Sequence, residues 1–185
     1  MRYPIPANDA DTVDGKGGAN TLELSTGVHT LTTNSKLLNI QTIKTNSSGS
    51  QLDLTNQSED FTIEVGAGTD NVKGGSGADT IKVNSAGQGD ADTLDGGAGT
   101  SDILQLSAGS HSFTDNSKLA NVETIKGHAS SATTVVLTGQ LETLKVDGGS
   151  AGDTITGGNG DDIITGGGGD DIISGGAGDD SLTCN

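Results

Sequence analysis

Residues Gly148–Thr183 read GGSAGDTIT, GGNGDDIIT, GGGGDDIIS and GGAGDDSLT, four consecutive nine-residue units in one frame. Each unit opens on two glycines. Each carries Asp at its sixth position (Asp153, Asp162, Asp171, Asp180) and an aliphatic residue at its eighth (Ile155, Ile164, Ile173, Leu182). Six residues suited to a turn therefore alternate with three suited to a strand. Glycine tolerates the positive φ of a tight curl whose carbonyls turn inward. The eighth residue, the one apolar side chain that recurs, has to supply the core. Two units make a coil of 18 residues, with a strand on each side and a turn at each edge. Such coils stack at the parallel-strand spacing of about 4.8 Å.

Stacking sets the Asp of one turn beside the Asp two units later. Carboxylates that close repel each other unless a cation lies between them. A donor set of carboxylates and carbonyls suits calcium, which takes roughly six to eight oxygens, whereas magnesium holds on to its waters. Zinc prefers His or Cys, and the block offers neither before Cys184.

The pattern G-G-x-G-x-D-x-U-x, with U the aliphatic position, resembles the RTX (haemolysin-type) calcium-binding nonapeptide of parallel β-rolls. The resemblance implies an all-β fold, a parallel β-roll or β-helix solenoid, with several Ca2+ ions bound between turns. In that family the earlier turn supplies the carbonyls of positions two and four plus its Asp. The turn two units later supplies carbonyls one and three plus its Asp. Carried over, one site uses Gly149, Ala151, Asp153, Gly166, Gly168 and Asp171. The next uses Gly158, Gly160, Asp162, Gly175, Ala177 and Asp180. Ala151 departs from the fourth-position glycine of the pattern.

Similar units occur elsewhere. Val65–Lys73 and Gly74–Lys82 place Asp70 and Asp79 at position six, with Gly66, Gly68, Gly75 and Gly77 as carbonyl donors. Gly87–Asp95 and Gly96–Gln105 bring Asp92 and Asp102 opposite them, and one inserted residue leaves open whether Ser101 or Asp102 faces the ion. Pro6–Asp14 and Gly15–Glu23 open the chain with Asp11 and Asn20 in the sixth position. An Asn gives an oxygen without charge, so a weaker site is expected at Asn20.

Between these blocks the text repeats. Asp9–Lys44 and Asp90–Lys126 align, with Asn39-Ile40-Gln41-Thr42-Ile43-Lys44 matching Asn121-Val122-Glu123-Thr124-Ile125-Lys126. A third copy is read at Gln140-Leu141-Glu142-Thr143-Leu144-Lys145, 19 residues after Asn121. These phrases are expected to be rungs of the same solenoid. Leu22, Leu24, Val28 and Leu31 mark short strands broken by a turn at Thr26–Gly27. The polar stretch between Lys44 and Phe61 is expected to be a loop or a ragged rung with Leu52 and Leu54 inward. The chain then divides into two tandem modules, 6–86 and 87–183, with short tails at 1–5 and 184–185. The competing architecture is a β-sandwich with RTX appendages.

Composition agrees with a metal-dependent fold. Of 185 residues only 30% are apolar, with no Trp, one Tyr and two Phe, too few for a large globular core. Thirty-one glycines enlarge the entropy that folding must overcome. Net charge is −16, near the range of disordered chains. Calcium answers both difficulties, because it neutralises carboxylates and its binding energy becomes folding energy. The acidity argues against nucleic acid or an anionic membrane surface as partner, and no apolar run is long enough for membrane insertion. One cysteine, Cys184, excludes an internal disulfide. Met1–Asn8 has no basic segment followed by an apolar stretch, so no cleavable signal is read there. The resemblance implies type I export and a secreted or cell-surface location.

No catalytic residue is singled out, and an enzyme is the least expected function. The pairs Asp161-Asp162, Asp170-Asp171 and Asp179-Asp180 are explained by the nonapeptide phase rather than as an acid–base pair. His29 and His111 occupy equivalent places in the two repeats and lack metal-ligand spacing, so structural or surface roles are expected. The RTX blocks joined by such rungs resemble bacterial S-layer, surface-fibre and adhesin proteins. The expected function is a secreted calcium-dependent structural protein. Its partner is itself: the last turns (Gly167, Gly169, Asp171; Gly176, Gly178, Asp180) offer half-sites matching those of the first (Pro6, Asn8, Asp11; Gly15, Gly17, Asn20), which predicts head-to-tail filaments. The alternative is a non-catalytic module binding cell-surface polysaccharide, although aromatic and basic residues are scarce. An ice-binding solenoid would need a more regular Thr ladder.

Overall fold

A computed structural model describes residues 12–33, 37–86 and 91–184. Among them there is no helix. Twenty short strands follow in order: β1 (Val13–Asp14), β2 (Thr21–Glu23), β3 (Gly27–Thr30), β4 (Leu37–Leu38), β5 (Thr42–Lys44), β6 (Ser50–Asp53), β7 (Thr62–Val65), β8 (Asn71–Lys73), β9 (Thr80–Val83), β10 (Thr93–Asp95), β11 (Ile103–Leu106), β12 (Gly109–Ser112), β13 (Leu119–Ala120), β14 (Thr124–Lys126), β15 (Thr133–Val136), β16 (Lys145–Gly149), β17 (Thr154–Thr156), β18 (Ile163–Gly167), β19 (Ile172–Ser174) and β20 (Ser181–Thr183). Every strand pair is parallel, so the chain is a β-solenoid.

One face is a single nine-stranded sheet in the order β2-β5-β7-β9-β11-β14-β16-β18-β20. The other face is interrupted. It comprises the pair β1-β4, the stack β3-β6-β8-β10-β13 and the stack β12-β15-β17-β19. Two coils make the interruptions, and in each the path away from the long sheet carries two strands. In the coil leaving β2, strand β3 opens a new stack, and β4 then closes the older one on β1. In the coil leaving β11, β12 opens and β13 closes in the same way. The near-identical sequences there thus make near-identical joints between stacks. The expected boundary at 86–87 meets residues outside the described set, while the long sheet runs past it through β9 and β11.

The core is a row of aliphatic side chains from each face. On the long sheet Leu22, Ile43, Ile63, Ile81, Leu104, Ile125, Val146, Ile164 and Leu182 stand in register. Leu52, Val72, Leu94 and Leu119 face them along one stack, and Val135, Ile155 and Ile173 along the other. Strand alternation turns the neighbours out: Ile164 is fully buried and Ile163 is 50% exposed.

Three expectations change. The polar stretch 45–60 is a regular rung, with β6 paired on both sides and Leu52 and Leu54 buried. Val28 points outward, because alternation within β3 sends His29 inward instead. His29 and His111 each begin a stack from inside the core, with Nε2 donating to the carbonyls of Ser25 at 2.8 Å and Ser107 at 3.0 Å. The phrase at 140–145 is not a third copy of the 121–126 rung. Ile125 pairs with Val146, not Leu144, because Gln140 is drawn into the turn. Its backbone bonds match those of Gln57, Gln57 N–H to Leu54 O and Gln140 N–H to Leu137 O.

Candidate metal centre

Two ladders of polar side chains run along the solenoid edges, one beside each set of strands. Their rule is simple: the N–H at or just before the start of a strand donates to the side chain just before the next strand in the stack. Beside the shorter stacks, Ser50 N–H donates to Asp70 Oδ1 (2.8 Å) and Asp70 N–H to Asp92 Oδ1 (2.8 Å). Further on, Thr133 N–H donates to Asp153 Oδ1 (2.6 Å) and Asp153 N–H to Asp171 Oδ1 (2.9 Å). Beside the long sheet, Phe61 N–H reaches Asp79 Oδ1 (2.8 Å) and Asp79 N–H reaches Asp102 Oδ1 (2.7 Å). Leu144 N–H reaches Asp162 Oδ1 (2.9 Å) and Asp162 N–H reaches Asp180 Oδ1 (2.9 Å).

The structure thus brings together the expected pairs 70/92, 79/102, 153/171 and 162/180. It also resolves the inserted residue of Gly96–Gln105: Asp102 is buried and Ser101 exposed. Asp11, with Pro6 and Asn8, lies outside the described residues. Asn20 occupies the long-sheet ladder, but its amide Nδ2 donates to Gly18 O (3.1 Å) and Asn39 O (2.9 Å).

The second carboxylate oxygens carry the chemistry. Oδ2 of Asp70, Asp92, Asp102, Asp153 and Asp171 is buried with no hydrogen-bond partner. Oδ2 of Asp79 and Asp162 instead accepts from the N–H of Gly75 (2.9 Å) and Gly158 (2.8 Å). A buried anion without a partner is costly. Burial pushes the Asp70 carboxyl up to about 6, against the Ser50 N–H bond and the nearby Thr45 hydroxyl, and Asp92 adds to the rise. Burial likewise pushes Asp102 up to about 6, and Asp79, Glu123 and Asp95 add negative field. Asp79, Asp92 and Asp153 are raised by the same desolvation.

The first glycine of each unit shows where the second carboxylate oxygens point. A Cβ on Gly148 would lie 2.5 Å from Gly166 O and 2.6 Å from Asp153 Oδ2. A Cβ on Gly157 would meet Gly175 O, with Asp162 Oδ2 at 2.7 Å, and one on Gly74 would meet Gly96 O, with Asp79 Oδ2 at 2.7 Å. The Asp of one turn and the first-position carbonyl of the turn above therefore border one cradle. The carbonyls of Gly75, Gly149 and Gly158 accept from Ala98, Gly168 and Ala177 N–H in the next turn. Those of Gly77 and Gly160 abut Gly99 and Gly178. Among the described residues no three His, Cys, Asp or Glu side chains converge. An ion here would rest on carboxylates completed by backbone carbonyls, a set that fits calcium and not zinc.

Sequence reading missed two ladder members. Glu123 takes the place of an Asp, its Oε2 accepting from Asp102 N–H at 2.7 Å, and Gln41 does the same for Asn20 N–H at 2.8 Å. Neither lies in a glycine-rich unit. The signal was their position immediately before a strand, one coil above Asp102 and Asn20.

Fold and ladders define a repeat protein of the parallel β-solenoid class with acidic turns stacked in register. The RTX calcium-binding nonapeptide repeat matches in four copies, over residues 7–27, 62–85, 86–109 and 147–182, more than half of the chain. The chain belongs to the RTX calcium-binding nonapeptide repeat family. No curated protein and no solved structure matches it.

Proposed function

We propose that this protein is a secreted, non-catalytic structural solenoid whose fold is completed by calcium between stacked turns. The observation that carries this reading is the set of five buried, unpartnered Asp oxygens in a chain of net charge −16. The ligands are those the motif implies: Asp70 with Asp92, Asp79 with Asp102, Asp153 with Asp171 and Asp162 with Asp180, together with the glycine and alanine carbonyls of their turns. Membership of the RTX family supports export of the type I kind. No helix among the described residues is long and apolar enough to cross a membrane.

Copies stack head to tail in this reading, as an extracellular filament or S-layer-like fibre. Such a contact would use β20 and the turn before it. Leu182 continues the core row of Ile164 but is 46% exposed, and Ile173 is only partly covered. The ladder rule would present Asp180 N–H to the ladder side chain of a following copy, Asn20, as β20 extends into β2. Both phenylalanines lie in the core, so neither offers a stacking surface for a polysaccharide.

Circular dichroism during a calcium titration tests the first part. Strand signal lost in chelator at neutral pH and regained with calcium is expected, and a spectrum indifferent to chelator refutes it. Electron microscopy in millimolar calcium and in chelator tests the second. Filaments should appear with calcium, and monomers under both conditions sink the stacking model.

A further inference from the structure

Two places in the molecule are built alike bond for bond, yet differ in charge. In the first repeat, Gln41 and Thr42 N–H both donate to Asn20 O (3.2 and 3.1 Å), and Asn20 N–H donates to Gln41 Oε1. In the second, Glu123 and Thr124 N–H both donate to Asp102 O (3.1 Å each), and Asp102 N–H donates to Glu123 Oε2. Asn39 and Asn121 precede these residues with φ of +55° and +51°, and each anchors its amide on a carboxylate below, Asp14 at 2.8 Å and Asp95 at 2.7 Å. Both Asn carbonyls therefore turn into the joint.

What closes the joint differs. In the first repeat the Asn20 amide donates to Asn39 O and Gly18 O, so its hydrogens bridge the two coils. In the second the corresponding atom is Asp102 Oδ2, which has no hydrogen to give. It is buried in a residue only 1% exposed and has no partner. A Cβ on Gly96 would meet Asn121 O and lie 2.8 Å from Asp102 Oδ2, so both oxygens border one point. Asp79, Asp95 and Glu123 surround Asp102 with further negative charge. Oxygens gathered where the sister joint holds a hydrogen donor call for an electropositive occupant.

We propose that Asp102, Glu123 and the Asn121 carbonyl hold a further hard divalent cation, at a joint between a nonapeptide turn and a rung that lacks the motif. The equivalent joint at Asn20 and Gln41 is closed by its own amide and takes no ion. Glu123 is the ligand that distinguishes them. This inference rests on the calcium reading above and adds a site that the repeat pattern does not mark.

Calcium bound per chain, counted by elemental analysis after equilibrium dialysis at fixed free calcium, tests it. Glu123→Gln keeps an acceptor for Asp102 N–H, as Gln41 does for Asn20, so the fold should persist by circular dichroism. This variant should bind one ion fewer than the parent chain. The double change Asn20→Asp with Gln41→Glu should bind one more. An unchanged count and affinity in Glu123→Gln overturns the proposal and points to a protonated Asp102 donating to Asn121 O. A parent chain that binds no calcium defeats the broader reading instead.

Discussion

Asp70 donates its backbone N–H to Oδ1 of Asp92 at 2.8 Å, while Oδ2 of both residues is buried without a partner. One bond thus fixes the register of two coils and leaves a pair of uncompensated oxygens at the same edge. Satisfying Oδ1 from the backbone orients each carboxylate before any ion arrives. Orientation of this kind lowers the cost of binding. It also ties the ion to the folded state, since the two halves of each ladder pair lie some twenty residues apart in sequence.

The same arrangement predicts an inverted pH response. Burial raises Asp70 and Asp102 from the ordinary 3.8 to about 6. A carboxyl that holds its proton more tightly when folded favours folding at low pH, and that contribution is lost as pH rises through about 6. Calcium needs the ionised form and expels the proton. In calcium-stripped protein the melting temperature should therefore fall as pH rises from about 4 to about 6.5. With saturating calcium it should rise over the same window. Thermal melts at several pH values check this, and a metal-free melting temperature that climbs with pH refutes it.

Glycine is required in the cradle and dispensable at Gly17. A Cβ at Gly148 would lie between Gly166 O and Asp153 Oδ2, whereas a Cβ at Gly17 would meet nothing within 4 Å. Gly148→Ala should weaken calcium-dependent folding by about 1–3 kcal/mol, through strain and lost ligand space. Gly17→Ala should lie within about 0.5 kcal/mol of the parent. Denaturant unfolding at fixed free calcium measures both, and equal effects would remove the cradle from the explanation.

Much of this architecture is legible in the sequence, because a nine-residue period fixes both the turn and the strand phase. Asp153 and Ile155 could be placed from their neighbours alone. What escaped lacked the period. Gln41 and Glu123 hold ladder positions through one side-chain bond each, with no glycines to flag them. Gln140 looked like part of a rung, since QLETLK resembles NVETIK, yet its amide turns inward and moves the pairing to Val146. The inward turn of His29 was hidden because the neighbouring Val28 is the more apolar residue. Side-chain hydrogen bonds, rather than hydrophobic pattern, decided each of these.

Core and surface aliphatics adjacent in sequence should differ sharply. Ile164 is fully buried in the row between Val146 and Leu182, and Ile163 is half-exposed. Ile164→Ala should cost about 2–5 kcal/mol, and Ile163→Ser less than about 0.5 kcal/mol. Urea unfolding of the calcium-loaded protein measures the pair. A cost at Ile163 matching that at Ile164 would mean that its outward face is covered, as it would be in a laterally associated fibre.

Gln140 offers a test of solenoid stability that is independent of the Asp ladders. It is buried, and its Nε2 donates to Phe113 O at 2.9 Å and Asp115 O at 3.3 Å. The amide thereby joins two coils through backbone carbonyls rather than through an Asp side chain, and Gln57 makes the equivalent bond to Leu31 O. Gln140→Glu replaces the donor with an oxygen facing two carbonyls. At neutral pH this buries an unpaired charge opposite acceptors, and the cost should be about 3–5 kcal/mol. Below about pH 5 the new carboxyl takes up a proton, donates to one carbonyl, and should regain part of that loss. Gln140→Leu takes the amide donor from Phe113 O at every pH, while Asp115 O keeps the Lys118 N–H, and should cost about 1–3 kcal/mol. Unfolding in saturating calcium, at neutral and at acid pH, separates the three chains. A Gln140→Glu variant as stable as the parent at neutral pH would show that this amide does not hold the coils together.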